Sequence, residues 1–258
     1  MEQHQEMFNE LSSLCDELYV DMCVNTELEL PTQRDTILAF FERIGKQYPT
    51  MNSLSRRGQS EYYLESPQDT GQYRWVCIDT DRLASGMVNP VAFKDACAQH
   101  RFILELAPYM LSLSHLDIDS LDVTVAMDFD CADNHDEVIS EALLSRSAFS
   151  CFMDMPQVRP VGLSPAAVFS LTDDCCTQAR ISVESRTSMY DPRKPREPSD
   201  QAISLSFTIR QYPPPSVRFD AVGSFENQCR LAETLMEEKI VSHFVRPLVS
   251  VIAQRRLT

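Results

Sequence analysis

"DELYVDMCVNT" (residues 16–26) alternates apolar and polar side chains without a break. Leu18, Val20, Met22 and Val24 fall on one side; Tyr19, Asp21, Cys23 and Asn25 fall on the other. Successive side chains of a strand point to opposite faces, so this pattern predicts a strand with one buried face. The pattern returns in "LDVTVAMDFD" (121–130), with Val123, Val125, Met127 and Phe129 on one side. At one constant offset Val20, Met22 and Val24 fall on Val125, Met127 and Phe129.

The two strands are succeeded by similar elements. After the first, Ile37, Phe40, Phe41, Ile44 and Tyr48 recur at helical spacing, with Thr32 and Asp35 as an N-cap pair and Pro49 as the stop. Strands are expected at 60–66 and 72–80, separated by the turn "PQDTG". A long amphipathic helix over 91–112 carries Phe93, Ala96, Cys97, Ile103, Leu104, Ala107 and Leu111, and Pro108 is expected to kink it. After the second strand come a helix at about 135–146, an irregular stretch at 148–165, and strands at 177–187 and 202–211. A C-terminal helix at about 224–254, interrupted by Pro247, ends the order.

These elements predict an α+β fold: a mainly antiparallel sheet with long helices packed on one face, in a single compact domain spanning 1–258. They also suggest an internal duplication of a β-α-β-β-α unit, with pseudo-repeats at about 16–112 and 119–254. Gln72 and Arg74 would match Gln178 and Arg180, and Phe93 and Cys97 would match Phe225 and Cys229. The competing explanation is that any α+β chain aligns to itself this well.

Bulk properties exclude several classes. The net charge of −15 argues against nucleic acid and against an anionic membrane surface as partners. The one basic run, "DPRKPREP" (191–198), reads as a solvated loop. No apolar run is long enough to span a bilayer, and the N-terminus lacks a signal-peptide pattern. Nine cysteines without framework spacing suit reduced thiols in the cytoplasm, and a vicinal disulfide at Cys175 and Cys176 is disfavoured. With six glycines, the chain has no phosphate-cradling loop of the GxGxxG or GxxxxGK[ST] type, and it lacks GxSxG, HExxH and CxxC.

Two constellations remain. In "DFDCADNHDEVISEALL" (128–144), Asp128 and Asp130 are spaced to leave one strand face together and to share a divalent cation. His135 and Asp136 supply a candidate acid/base pair. The alternative is a helix start, with Asn134 at the N-cap and Glu137 at N3. The second constellation is a strand face bearing Arg180, Ser182, Glu184 and Arg186 beside Ser204, Ser206, Thr208 and Arg210. Asp122, Thr124, Asp128 and Asp130 join it if the strands are neighbours. That is either a solvated face with cross-strand ion pairs or a polar groove, with Arg180, Arg186, Arg210 and Glu184 as ligand-binding residues. In the first half, an outward Arg74 would carry Val76 and Ile78 outward too and imply cover by another subunit. His100 and Trp75 read as core residues.

The reading is a non-enzymatic binding or assembly protein acting through an oligomeric interface or a polar sheet groove. Its expected partners are further copies of itself and an unknown protein or small polar ligand, with no cofactor. The alternative is a divalent-metal-assisted hydrolase or lyase using Asp128, Asp130, His135 and Asp136. A third reading, an acidic partner for a basic protein, rests on net charge alone.

Overall fold

The structure is a computed structural model describing residues 8, 10–58, 60–68, 71–185, 202–215 and 217–256. The two alternating stretches become β1 (Glu17–Thr26) and β6 (Ile118–Phe129), paired antiparallel near the centre of a nine-stranded sheet. The first half adds β2 (Ser53–Arg57), β3 (Glu61–Glu65), β4 (Tyr73–Ile78) and β5 (Arg82–Val88). The second adds β7 (Ala166–Ser170), β8 (Thr177–Ser185) and β9 (Ile203–Gln211). The order is β2-β3-β4-β5-β1-β6-β9-β8-β7, and every neighbouring pair is antiparallel. β2, β5 and β7 were not expected from the sequence.

The apolar sides of the central strands define the core face. Leu18, Val20, Met22, Val24, Leu121, Met127, Leu205 and Ile209 have no exposed surface. Burying a side chain of this size favours folding by about 1.5–3 kcal/mol. Their cover comes from α1 (Arg34–Gln47), α2 (Phe93–Met110) and α5 (Ala221–Leu235), whose Phe40, Ile44, Ile103, Leu104, Phe225 and Ala232 join the same core. Smaller helices, α3 (His135–Ile139) and α4 (Ser150–Met153), lie between β6 and β7 in the chain.

Polar side chains from the helices stitch them to the sheet backbone. His100 Nε2 lies 3.1 Å from the Val20 carbonyl, and its Nδ1 lies 3.0 Å from Ser85 Oγ. A carbonyl only accepts, so Nε2 carries the hydrogen and Ser85 donates to Nδ1. Burial pushes the imidazole down to about 3, so it stays neutral. Gln99 donates to Ser85 Oγ at 2.9 Å and to the Gly86 carbonyl at 3.1 Å. Gln228 donates to the Leu121 and Ile209 carbonyls at 2.7 and 2.8 Å.

Several local expectations need correction. Arg74 does not face outward. Its guanidinium donates to Gln99 Oε1 at 2.7 Å and lies over the Tyr48 ring, while Val76 and Ile78 are fully buried beneath the helices. The two apolar side chains choose the core face, and Arg74, of the same parity, goes with them. The exposed apolar patch expected from an outward Arg74 is therefore not formed by these residues. Thr32 does not cap α1: the N-cap is Gln33, with extended backbone and no side-chain cap bond. Pro108 sits in the last turn of α2, where a proline removes one backbone hydrogen bond near the end. The C-terminal helix changes its winding at Pro247 and does not stop. α5 runs into a π-helical stretch, Met236–Val245, then into α6 (Arg246–Arg255), which takes Pro247 in its first turn.

The sheet's two edges differ. β2 carries Arg56 and Arg57, whereas β7, "AAVFS", carries no charge and leaves Val168 and Phe169 more than half exposed. No described helix is long and apolar enough to cross a membrane.

A polar sheet face as the candidate site

The helix contacts above all run to the core face. Opposite it, strand parity gathers the polar side chains. The register strings them into rungs that run across the strands. One rung reads Trp75, Gly86, Asp21, Thr124, Thr208 and Arg180, from β4 to β8. The next reads Cys77, Ala84, Cys23, Asp122, Arg210 and Gln178.

The order β6-β9-β8 brings the expected arginines and carboxylates together. Arg210 grips Asp122 with both ends of its fork, Nε to Oδ1 at 2.7 Å and Nη2 to Oδ2 at 2.5 Å. That pair raises the guanidinium pKa further above its ordinary range, the hydrogen bond to Asp122 being the main cause. Arg180 stands one rung away on β8 and is exposed, with no hydrogen bond or ion pair among the described residues. Glu184 lies further along the same side of β8, also exposed. Arg186 lies outside the described residues. Thr124 and Thr208 share a hydroxyl hydrogen bond of 2.8 Å between Arg180 and the middle of the face.

Among the residues of the expected acid/base cluster, the side chains of Asp128, His135 and Asp136 each bond to other groups. Asp128 is on the polar face and accepts from Tyr19 and Ser204 hydroxyls. Asp130 lies one residue beyond the end of β6 at Phe129 and is exposed. There the Asp130 backbone N–H donates to Asp16 Oδ2 at 2.7 Å, and its carbonyl accepts from Arg256 at 2.8 Å. His135 is buried, with Nε2 2.9 Å from the Cys131 carbonyl and Nδ1 3.3 Å from Ser185 Oγ. Asp136 Oδ1 accepts from the Leu163 N–H at 2.8 Å. Among the described residues, no three His, Cys, Asp or Glu side chains are arranged to hold a metal ion. The helix-start reading of "NHDE" fits the geometry, since Asn134 caps α3 by accepting from the Asp136 N–H at 3.1 Å.

Sequence reasoning passed over Asp21. It lies in the middle of the polar face, and its Oδ1 is enclosed without a hydrogen-bond partner. Loss of water alone pushes this carboxyl up to about 7. Gly86, its partner on β5, makes the enclosure: a Cβ there would run into both the Trp75 indole and Asp21 Oδ1. Trp75 is half-buried on this face and not a core residue. A glycine inside a strand was the one available signal, since it marks a close approach by another group.

The face ends in an open hollow of about 550 Å³, with Arg210 and Ser120 on one side and Asn25, Glu27 and Asp81 on the other. Asn25 donates to Ser120 Oγ across its floor at 3.0 Å.

Comparison with known proteins finds no matching family model and no curated relative.

Proposed function

We propose that the protein is a non-catalytic binding protein that holds a polar partner across the face formed by β5, β1, β6, β9 and β8. The observation that carries this reading is the contrast between Arg210 and Arg180. Arg210 is spent on Asp122, whereas Arg180, one strand and one rung away, presents its guanidinium to solvent beside a ladder of hydroxyls. A guanidinium fork next to Thr208 and Ser206 suits a carboxylate or hydroxyl group on the partner. Glu184 adds the opposite charge on the same strand. The separate bonding of the Asp128, His135 and Asp136 side chains lowers the support for a metal-assisted hydrolase or lyase.

The test is cross-linking mass spectrometry in cell extract with the full chain. Arg180→Glu combined with Glu184→Arg should lose a partner that the wild type captures reproducibly through peptides of β8 and β9. Capture that survives the charge exchange sinks the reading. A rise in melting temperature with Mg²⁺, Mn²⁺ or Ca²⁺ that Asp128→Asn removes would restore the hydrolase or lyase reading.

A second reading, self-association, draws on the edge strand. β7 offers an uncharged edge with Val168 and Phe169 exposed, the kind of edge that recruits another strand. An antiparallel pair of β7 strands would make a twofold dimer. Light scattering at micromolar concentration should give twice the monomer mass, and Phe169→Lys should return it to one. A wild-type monomer excludes this reading.

We also infer that the chain arose by duplication. Two residue pairs matched between the halves meet each other, as they must beside a pseudo-twofold axis. Val20 pairs directly with Val125, and Cys97 Sγ lies 3.3 Å from Cys229 Sγ. The match of Arg74 with Arg180 does not obey that axis. Arg74 pairs with Met87, which pairs with Val20; the equivalent path from Val125 runs through Phe207 to Ile181. A one-residue slip places the two arginines on opposite faces.

A further inference from the structure

Resting on that reading of the polar face, we propose that Asp21, Trp75 and Gly86 form a receptor for an organic cation, a protonated amine or a guanidinium, carried by a side chain of a polypeptide partner. The carboxyl is half-committed. Oδ1 is enclosed beside the indole and bonded to nothing, while the residue as a whole keeps some exposed surface. A buried polar atom without a partner is rare in a folded protein and calls for an explanation. No described donor bonds it: Gly86 has no side chain, the Thr124 and Thr208 hydroxyls bond to each other, and the Trp75 indole N–H, the one donor beside it on β4, makes no hydrogen bond to it.

The surroundings favour a cation over any other donor. The indole of Trp75 lies alongside, and an aromatic face attracts a cation that reaches the carboxyl. The side chains flanking Asp21 on its neighbouring rungs, Ala84 and Ala126, are small, while the space over Gly86 is filled by the indole and the Asp21 carboxyl themselves. The nearby charges are mainly negative. From β6 come Asp122, which Arg210 neutralises, and Asp128, which accepts from Tyr19 and Ser204. From β5 comes Arg82, whose nearest carboxylate is Asp79 at 3.4 Å. On β1 itself, Glu17 accepts the Tyr19 hydroxyl, and burial pushes the Cys23 thiol up to about 12 and raises the Tyr19 hydroxyl as well, so neither ionises near neutrality. The chain's net charge of −15 adds a long-range pull on cations.

A polypeptide is the source that fits the spacing. Asp21 and Arg180 share a rung three strands apart, about 14 Å at the usual strand separation. That is roughly four residues of extended chain, so one segment can give a cation to Asp21 and a carboxylate to Arg180. Because Asp21 must ionise to hold the cation, binding releases a proton. Affinity should rise about tenfold per pH unit up to pH 7 and level off above it.

Isothermal titration calorimetry of the full chain with n-butylguanidinium, and with a blocked peptide carrying one arginine and one glutamate four residues apart, tests this. At pH 8 both probes should bind saturably, the peptide more tightly. Asp21→Asn should weaken both at least about tenfold, and Trp75→Leu should weaken both about threefold or more. Asp21→Asn is near-isosteric and removes no bond, so its fold is retained and circular dichroism checks that. Absence of saturable binding by either probe in the millimolar range overturns the receptor, as does undiminished binding by Asp21→Asn. Equal affinity for the two probes overturns the polypeptide source. Arg180→Glu separates this claim from the wider one. It should remove the peptide's advantage and leave butylguanidinium unchanged, so loss of partner capture with intact cation binding faults neither, and failure of cation binding with intact capture faults the receptor alone.

Discussion

The two sides of β1 treat a buried polar group in opposite ways. On the core side, His100 is fully enclosed, and both ring nitrogens find partners in Val20 and Ser85. On the polar side, one residue along the strand, Asp21 has an enclosed oxygen with no partner at all. The sheet backbone explains the core side, since it offers carbonyls to any neutral donor the helices bring. It offers nothing to an anion, which needs donors. A fold that satisfies its polar groups where packing is tightest and leaves one unsatisfied on the opposite face has a reason to keep the second for something outside itself.

Stability against pH sharpens the contrast, because the two groups pull in opposite directions. His100 has a folded pKa of about 3, below its ordinary value of 6.5. As pH falls, the unfolded chain takes the proton first, so stability is lost from about pH 6.5 down to 3, on the order of 5 kcal/mol in all. Asp21 has a folded pKa of about 7, above its ordinary value of 3.8. As pH rises, the unfolded chain loses its proton first, so stability is lost from about pH 4 up to 7, on the order of 4 kcal/mol. Between pH 4 and 6.5 the two largely cancel. Urea titrations across this range should therefore show a shallow wild-type profile. His100→Gln should flatten the acid limb and leave a decline toward pH 7. Asp21→Asn should do the reverse, rising from pH 4 to 6.5 and exceeding the wild type at pH 8. Parallel profiles for all three proteins would mean that neither group titrates as its surroundings dictate.

How much of this was legible in the sequence depends on how local each signal is. The period-2 runs of β1 and β6 were readable because one face of each strand is wholly apolar. β5 was missed because its outer positions, Ala84 and Gly86, are small and not polar, which erases the alternation. β7 was missed because "AAVFS" does not alternate. The polar face was foreseeable as a set of parities, and Arg180, Arg210, Asp122 and Asp128 fall where parity puts them. Asp130 and His135 were grouped with Asp128 by closeness in sequence. The strand ends one residue before Asp130, and His135 is turned toward Ser185, fifty residues on. Asp21 was invisible as a site because its enclosure is made by Trp75 and Gly86 on two other strands, and no local pattern reports which strands become neighbours.

Gly86→Ala attacks the enclosure from below. The added methyl meets both the indole and the carboxylate, so both must move, at a cost of about 1–3 kcal/mol. Trp75→Leu should remove the indole's share of that cost, and chemical denaturation of the four-member cycle measures it. Additive effects would mean that the indole does not rest over Gly86.

The smallest effect sits next to Asp21. Thr124 and Thr208 bond to each other at 2.8 Å on a half-exposed surface. Each single change to valine strands one hydroxyl and should cost about 0.5–1 kcal/mol, while the double change, which removes both, should be nearly neutral. That outcome would show Thr124 to be engaged with Thr208 and therefore not the missing donor for Asp21. If Thr124→Val instead lowers stability alone, and Asp21→Asn abolishes that loss, then Thr124 already serves the carboxylate. The asymmetry between the two sides of β1 would then shrink to a difference in geometry.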